Sequence, residues 1–278
     1  MPATLYVVAT PIGNLSDISL RALEVLQSVA LIACEDTRTT RRLLARHGIK
    51  TRTTSYHEHN EKSRAPQLTS RLEGGEDIAL VCDAGTPGVS DPGYRLVAGA
   101  REKGIPVRAV PGPSAVLAAL SASGLPTSSF CFYGFLPRRG SARVQVIESL
   151  ASTTHTAILF ESAKRTPALL EELAERLGPR QAFLAREITK VYEEHRAGAL
   201  SDLASWVREK PPRGELTLVI AGAKRRPAAS LSSEEMQKRF SDLTAQGLKR
   251  REAVKILAEE TGLPSRLLYT QLLGSEVE

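Results

Sequence analysis

The sequence lacks the glycine patterns of the common nucleotide-binding enzymes. No two of its 20 glycines are separated by a single residue, which excludes the G-x-G-x-x-G dinucleotide fingerprint. It also contains no G-x-x-x-x-G-K-S/T phosphate loop and no G-x-S-x-G nucleophile elbow. These absences remove the largest classes of nucleotide enzymes and of α/β-hydrolases.

Cysteine is scarce, and long apolar runs are missing. The three cysteines, Cys34, Cys82 and Cys131, are far apart, which predicts buried free thiols in a reducing compartment rather than disulfides. No apolar run approaches the roughly 20 residues of a membrane span. The N-terminal stretch lacks the basic start of a signal peptide and is interrupted by Pro11. We therefore expect a cytoplasmic protein without membrane contact.

Histidine is also sparse, and the charge is modest. His57 and His59 alternate as on a strand, with no cysteine near them in sequence, so we expect no bound metal. The chain has 278 residues, 42% of them hydrophobic and 24% charged, with a formal net charge of +6. This composition indicates a globular protein of more than one domain. The basicity permits an anionic partner without requiring one.

Apolar, β-branched runs alternate with amphipathic helical patterns through most of the chain. This alternation predicts an α/β fold with a mostly parallel sheet and helices on both faces. The predicted strands of the first domain are TLYVVA (4–9), ALIAC (30–34), TRTTSY (51–56), IALVC (78–82) and VRAV (107–110).

The pattern changes twice along the chain, which predicts an N-terminal α/β domain (1–122), a second α/β domain (123–223) and a C-terminal extension (224–278). The second domain is expected to contain strands SFCFYGF (129–135), TAILFE (156–161), QAFLARE (181–187) and GELTLVIAG (214–222). A basic Pro/Ala/Ser linker then leads to three short predicted helices, at about Ser233–Ala245, Lys249–Glu260 and Pro264–Leu273.

Four loops follow strands of the first sheet, and three of them are rich in glycine and proline. They are ATPIGN (9–14), EDTR (35–38), DAGTPGVSDPG (83–93) and PGPSA (111–115). Ligands of open α/β sheets bind at the carboxyl ends of the strands, so stiff loops meeting there predict a binding hollow. The alternative is that these are ordinary α/β connections.

In this order, VATPIGNLSDIS, CEDTR, DAGTPGVSDPG, VPGPSA and YGFLPR resemble the tetrapyrrole-methylase superfamily of S-adenosylmethionine-dependent methyltransferases. Within it they look closest to the bacterial family that methylates the ribose 2′-hydroxyl of a cytidine in small-subunit (16S) rRNA. The likeness spans about residues 5–222, and the helical tail resembles the C-terminal extension of that closer family.

The resemblance implies two α/β domains with S-adenosylmethionine in the cleft between them, usually in a homodimer. It implies an rRNA substrate, either free or in the assembled 30S subunit. Carried over by position, the residues implied to contact the cofactor are Pro11, Ile12, Asp83, Gly85, Thr86, Val89, Ser114, Ala115, Phe160, Leu184 and Glu215.

A ribose hydroxyl is a weak nucleophile, so a positioned base or a nearby positive charge would help it to lose its proton. Candidates for the base are Glu35, His57 and Asp83, with Asp36 also near the same edge. Glu35 or Asp36 could instead pair with Arg38 or Arg41 on the next helical turn. Lys164 and Lys190 could supply positive charge from the second domain.

Two basic stretches suggest an RNA-binding surface. Residues 37–57 contain six Lys or Arg side chains and no acid, among them Arg38, Arg41, Arg42 and Arg46 on a predicted helix. FLPRRGSAR adds Arg138, Arg139 and Arg143. Such runs are often only a solvated face, but beside a methyl-transfer site they favour phosphate contacts.

The C-terminal helices have the layout of a helix-turn-helix. Their charges nearly cancel, with ten basic and eight acidic residues from Lys224 onward, so packing against the main domains is as good an interpretation as nucleic-acid contact. Two other function classes remain open: a methyltransferase of the same fold acting on a small tetrapyrrole, and a non-enzymatic nucleic-acid regulator.

Overall fold

The computed structural model describes residues 3–224 and 232–273. The chain divides into two compact units, Met1–Gly222 and Ala223–Glu278. The larger unit contains two five-stranded sheets, and the described part of the smaller unit is helical. The predicted α/β architecture with two sheets and C-terminal helices is therefore confirmed, whereas the exact limits of the three domains stay predictions.

The first sheet is entirely parallel. Its strands are β1 (Leu5–Val8), β2 (Leu31–Cys34), β3 (Thr53–Ser55), β4 (Ile78–Val81) and β5 (Val107–Val110). They are hydrogen-bonded in the order β3-β2-β4-β1-β5, and every neighbouring pair runs parallel. All five lie within the predicted runs.

Helices cover both faces of this sheet. On one face, Ile32 and Val81 pack with buried leucines of α1 (Leu20–Ser28) and α2 (Thr37–Arg46). On the other face, alternate strand residues pack with α3 (Glu61–Glu73) and α4 (Tyr94–Glu102). The central strands β1, β2 and β4 are mostly buried on both faces and therefore almost continuously apolar, which is why the sequence reveals them. The edge strands β3 and β5 are more exposed and include polar residues.

The second sheet is mixed. Its strands are β6 (Phe130–Phe135), β7 (Thr156–Ser162), β8 (Gln181–Arg186), β9 (Glu194–Ala199) and β10 (Glu215–Ile220). In the order β6-β7-β10-β8-β9, only β6 and β7 run parallel. The sequence did not predict β9, because it is a polar, largely exposed edge strand with the sequence EHRAGA.

The second sheet is covered by helices on both faces, and one of these helices follows the last strand of the first sheet. The helices α6 (Ser141–Ser152), α7 (Thr166–Leu177) and α8 (Leu200–Glu209) cover one face of the second sheet. The opposite face packs against α5 (Ala115–Ala122), which begins just after β5. The two sheets are thus joined by a helix that starts at the carboxyl edge of one and is buried against the other.

The smaller unit has its own apolar core. It contains α9 (Ser233–Ala245), α10 (Arg250–Thr261) and α11 (Ser265–Leu273), close to the predicted limits. Phe240, Leu257 and Leu268 are buried among them. Most of the predicted linker lies outside the described residues. Across the described ranges, no helix has the length and apolarity that crossing a membrane requires.

Candidate functional site

The loops that follow β1 and β4 lead to opposite faces of the first sheet. These neighbouring strands connect to α1 and α4, which lie on opposite faces of the sheet, and such a switch opens a crevice at the carboxyl edge. Thr10 and Gly85 close it from below by exchanging backbone N–H···O bonds of 2.8 and 3.0 Å. Gly85 has φ +88°, a conformation that strains any residue with a Cβ atom.

A cleft of about 480 Å³ lies between these loops and the second sheet. Its wall comes from the loops after β1, β2, β4, β5 and β8, from β6, β7 and β10, and from the start of α5. Nine of the residues assigned to the cofactor by resemblance line it: Ile12, Asp83, Gly85, Thr86, Val89, Ser114, Ala115, Phe160 and Glu215.

Pro11 and Leu184 do not line this cleft. Pro11 is buried beside Ile12. Leu184 is 2% exposed and packs into the core under α6, α7 and α8, whereas its strand neighbours Phe183 and Ala185 face α5. Because successive side chains of a strand point to opposite faces, the position assigned to Leu184 directs its side chain away from the cleft.

The cleft is acidic. Its described lining contains the carboxylates of Glu35, Asp83, Asp91, Glu161 and Glu215. The ammonium group of Lys190 is the one Lys or Arg charge among those lining residues. Glu161 is paired with Arg165 at 3.0 Å and Glu215 with Lys190 at 2.9 Å, whereas the other three carboxylates form no ion pair with a described residue. This excess of negative charge favours a positively charged ligand.

Burial and mutual repulsion raise the pKa of the carboxyl groups at the floor of the cleft. The pKa of Glu35 is raised by burial and by the neighbouring charge of Asp83. Burial likewise raises the pKa of Asp83. Burial raises the pKa of Asp91 to about 6, with Glu35 and Asp83 adding repulsion. Strongly shifted carboxyl groups in a cleft are typical of functional sites.

Asp91 was missed by the sequence reasoning. It is the second acid of the DAGTPGVSDPG loop, and the only available signal was its place in that loop, between Ser90 and Pro92. Ser90 adopts φ +61°, so the loop doubles back and returns Asp91 to the cleft wall.

Asp36 and His57 have local partners. Asp36 caps α2, accepting a 2.8 Å hydrogen bond from the Arg38 N–H, and its carboxylate contacts the Arg38 guanidinium at 2.7 Å. The hydrogen bonds from Arg38 lower the pKa of Asp36 to about 2. The Nε2 atom of His57 lies 3.1 Å from the side-chain nitrogen of Asn60, and His57 is not part of the cleft wall. Of the two interpretations of Asp36, a base or an ion pair with a nearby arginine, the structure shows the ion pair with Arg38.

The proposed RNA-binding arginines differ in their surroundings. Arg41, Arg42 and Arg46 are exposed on α2 and form no ion pair with any described residue. Arg138 and Arg139 are exposed in the loop after β6. By contrast, the guanidinium of Arg143 has partners within the fold: it contacts Glu172 and donates a hydrogen bond of 2.9 Å to the Pro137 carbonyl.

Lys190 links the second sheet to the first-sheet loops. Its Nζ atom lies 2.9 Å from carboxylate oxygens of both Glu187 and Glu215. Although burial favours its neutral form, these hydrogen bonds raise the pKa of Lys190. A Cβ atom added to Gly13 would lie 2.5 Å from the Lys190 Cγ atom, so the two loops are in close contact. Lys164 is exposed and does not line the cleft.

Comparison with known proteins gives a consistent result. The family model described as Tetrapyrrole (Corrin/Porphyrin) Methylases matches residues 4–204. The chain is 46% identical to the ribosomal RNA small subunit methyltransferase I of Synechocystis sp., over 99% of both chains. It is 45% identical to the protein of that name from Pseudomonas aeruginosa, over 97% of this chain and 96% of the relative.

Solved structures with the same fold include enzymes with different names. Uroporphyrin-III-C-methyltransferase from Thermus thermophilus superposes with a TM-score of 0.53 at 23% identity, over 78% of this chain and 94% of that one. A diphthine synthase superposes with a TM-score of 0.61 at 16% identity, over 79% and 90%. At these identities the likeness establishes the fold alone. The family match and the near full-length relatives together show that the chain belongs to the tetrapyrrole methylase family and, within it, to the ribosomal RNA small subunit methyltransferase I family.

Proposed function

We propose that this methyltransferase transfers a methyl group from S-adenosylmethionine to the ribose 2′-hydroxyl of a cytidine in small-subunit (16S) rRNA. The observation that carries the proposal is the acidic cleft at the switch between β1 and β4. Its carboxylates suit a ligand that bears a sulfonium and an ammonium group, and its stiff loops offer backbone donors and acceptors at little ordering cost.

The residues present fit that cofactor. The carboxylates of Asp83 and Glu215 lie on facing walls of the cleft, the phenyl ring of Phe160 offers apolar surface, and Ser114 begins α5. When bound, S-adenosylmethionine supplies a methyl group on positively charged sulfur, which a nucleophile takes by direct displacement. The protein then has mainly to align donor and acceptor.

The proton of the hydroxyl is the remaining chemical problem. An acceptor hydroxyl that takes the methyl group of a bound cofactor would have to give up its proton to a base of this chain. Glu35 and Asp83 are carboxylates in the cleft with raised pKa, which brings them nearer to the operating pH. Of the predicted bases, these two are better placed than His57, which is outside the cleft wall.

The substrate is proposed to bind on the basic surface outside the cleft. Arg41, Arg42 and Arg46 on α2, with Arg138 and Arg139, are exposed cations that suit phosphates. A small tetrapyrrole, the alternative substrate, would have no use for this surface. The homodimer and the cytoplasmic location stay predictions from the resemblance and the composition.

Two measurements test the proposal. Calorimetry should show that S-adenosylmethionine binds to the purified chain. Small-subunit rRNA from a strain lacking the gene should lack one ribose methyl by mass spectrometry, and adding protein and cofactor to 30S subunits from that strain should restore it. Absence of cofactor binding, or an unchanged methylation pattern in the deletion strain, would refute the proposal.

A further inference from the structure

A second cavity lies outside the cleft and is unlike it in charge. This outer groove, of about 800 Å³, is lined by residues 13–16 of the first loop, by Arg46 and His47 at the end of α2, and by residues 189–192 before β9. None of the described residues that line it is acidic. Arg46 forms no ion pair with a described residue, whereas the charge of Lys190 is already paired with Glu187 and Glu215. The groove therefore suits an anionic ligand, as the cleft suits a cationic one.

The groove also exposes apolar surface that the fold does not use. As whole residues, Tyr192 is 74% exposed, Val191 is 93% exposed and Leu15 is 44% exposed. An exposed aromatic ring beside basic side chains is the combination with which proteins hold single-stranded nucleic acid, because bases stack on the ring while cations contact phosphates.

Two polar atoms at the groove lack a partner. The Nε2 atom of His47 and the Oγ1 atom of Thr189 are buried, and neither forms a hydrogen bond with any described residue. Buried polar atoms without partners are rare in proteins, and each calls for an explanation. Both atoms lie beneath the surface of the groove, so only a local movement of the groove wall would expose them to a ligand.

Lys190 joins the outer groove to the cleft, since it lines both cavities. Its ammonium group is fixed between Glu187 and Glu215 at 2.9 Å from each. A ligand in the groove would therefore lie next to the cleft on the other side of Lys190.

We propose that the outer groove binds the acceptor nucleotide of a single-stranded RNA segment, with its base stacked on Tyr192 and its ribose directed toward Lys190. This inference rests on the proposed function and adds a substrate site to it. Arg46 contacts the adjoining phosphate, and the groove delivers the ribose to the edge of the cofactor cleft. Tyr192 is a substrate-positioning residue in this arrangement.

The test compares Tyr192→Ala and Tyr192→Phe with Tyr94→Ala. Tyr94 is a matched control because it is 79% exposed and lines neither cavity. Methyl transfer is measured against the concentration of 30S subunits from the deletion strain. Loss of one stacking ring should raise the KM of Tyr192→Ala by about tenfold or more. Tyr192→Phe keeps the ring and should stay within about twofold of the parent, and the cofactor Kd by calorimetry should be the same in all variants.

Three outcomes would overturn the assignment. They are an unchanged KM in Tyr192→Ala, an equal change in Tyr94→Ala, and a change in the oligomeric state of Tyr192→Ala by light scattering. The last would identify the groove as an interface between copies of the chain. If the parent protein and Tyr192→Ala methylate 30S subunits equally well, the nucleotide site in the groove is refuted and the proposed function stands. If the parent protein does not methylate 30S subunits, the proposed function itself is refuted.

Discussion

The carboxylate of Asp83 accepts a 3.0 Å hydrogen bond from the backbone N–H of Asp36. This hydrogen bond connects the loop after β4 with the loop after β2, and these two strands are neighbours in the sheet. It fixes the direction of the Asp83 side chain even though burial raises the pKa of its carboxyl group. A negative charge held in place at the cleft wall is well suited to distinguish a cationic ligand from a neutral one.

Asp83→Asn should weaken the binding of S-adenosylmethionine more than that of S-adenosylhomocysteine, which lacks the sulfonium charge. The amide oxygen can still accept the hydrogen bond from Asp36, so the loop should keep its conformation. We expect a loss of about tenfold in affinity for the charged ligand, measured by calorimetry with both. Equal losses for the two ligands would show that Asp83 acts on something other than the sulfonium.

Asp91→Asn should stabilise the protein at neutral pH but not in acid. The folded-state pKa of Asp91 is raised to about 6, above its ordinary value of 3.8. The folded chain binds the proton more tightly, so the free energy of unfolding falls as the pH rises from about 4 to about 6. The variant should be more stable by about 1 kcal/mol at pH 7, allowing for solvent screening. Urea unfolding should reveal little gain at about pH 4; an equal gain at both pH values would contradict the assignment.

Arg41→Glu with Arg42→Glu should weaken RNA binding while leaving the cofactor affinity unchanged. Two lost phosphate contacts should lower the slope of log affinity against log salt by about 1.4 to 1.8. Lys62→Glu with Arg101→Glu is the matched control, since both residues are exposed on α3 and α4, on the opposite face of the sheet. Filter binding of small-subunit rRNA at several salt concentrations measures the effect. Unchanged affinity would exclude α2 as a phosphate-binding surface.

Gly13→Ala should destabilise the larger unit. The added Cβ atom would lie 2.5 Å from the Lys190 Cγ atom and 2.9 Å from the Thr189 Oγ1 atom, so the loop before β9 must move. We expect a loss of about 1 to 3 kcal/mol in the free energy of unfolding. Gly198→Ala is the control, because its Cβ atom would meet nothing closer than 3.7 Å. Urea unfolding of both variants should separate them, and equal stabilities would contradict the contact.

Removing all residues after position 228 should leave cofactor binding intact. The larger unit is compact without the smaller one, and the cleft lies wholly within the larger unit. Activity on 30S subunits should nevertheless fall, because the helical unit is expected to contribute to substrate binding. Full activity of the truncated chain would show that the unit is dispensable for methylation.

The sequence revealed the centre of the first sheet because its middle strands are buried on both faces. Short runs such as Ile78–Val81 are apolar throughout, and their short length favours a buried strand over a helix. The edge strand Glu194–Ala199 was not predicted because it is polar and largely exposed. Its polar residues carry no burial pattern, and only its pairing with Gln181–Arg186 defines it as a strand.

The loops of the cleft could also be predicted, but the side chains that complete it could not. Ile12 and Gly85 belong to a recognisable sequence pattern. Lys190 is held at the cleft by Glu187, which follows β8, and by Glu215 on β10, two residues that are far apart in sequence. Leu184 shows the limit of carrying a residue over by position, since a shift of one residue on a strand turns the side chain to the other face.

The placement of α5 has a mechanical consequence. Its first residue lines the cleft, while Val116, Ala119 and Leu120 are buried against the second sheet, so the helix must travel with that sheet. Any hinge between the two lobes would have to pivot in the short segment 111–114, where Pro111 and Pro113 fix their own φ angles. Any change in the spacing of the two sheets would accordingly have to come from the remaining backbone angles of this segment, those of Gly112 among them.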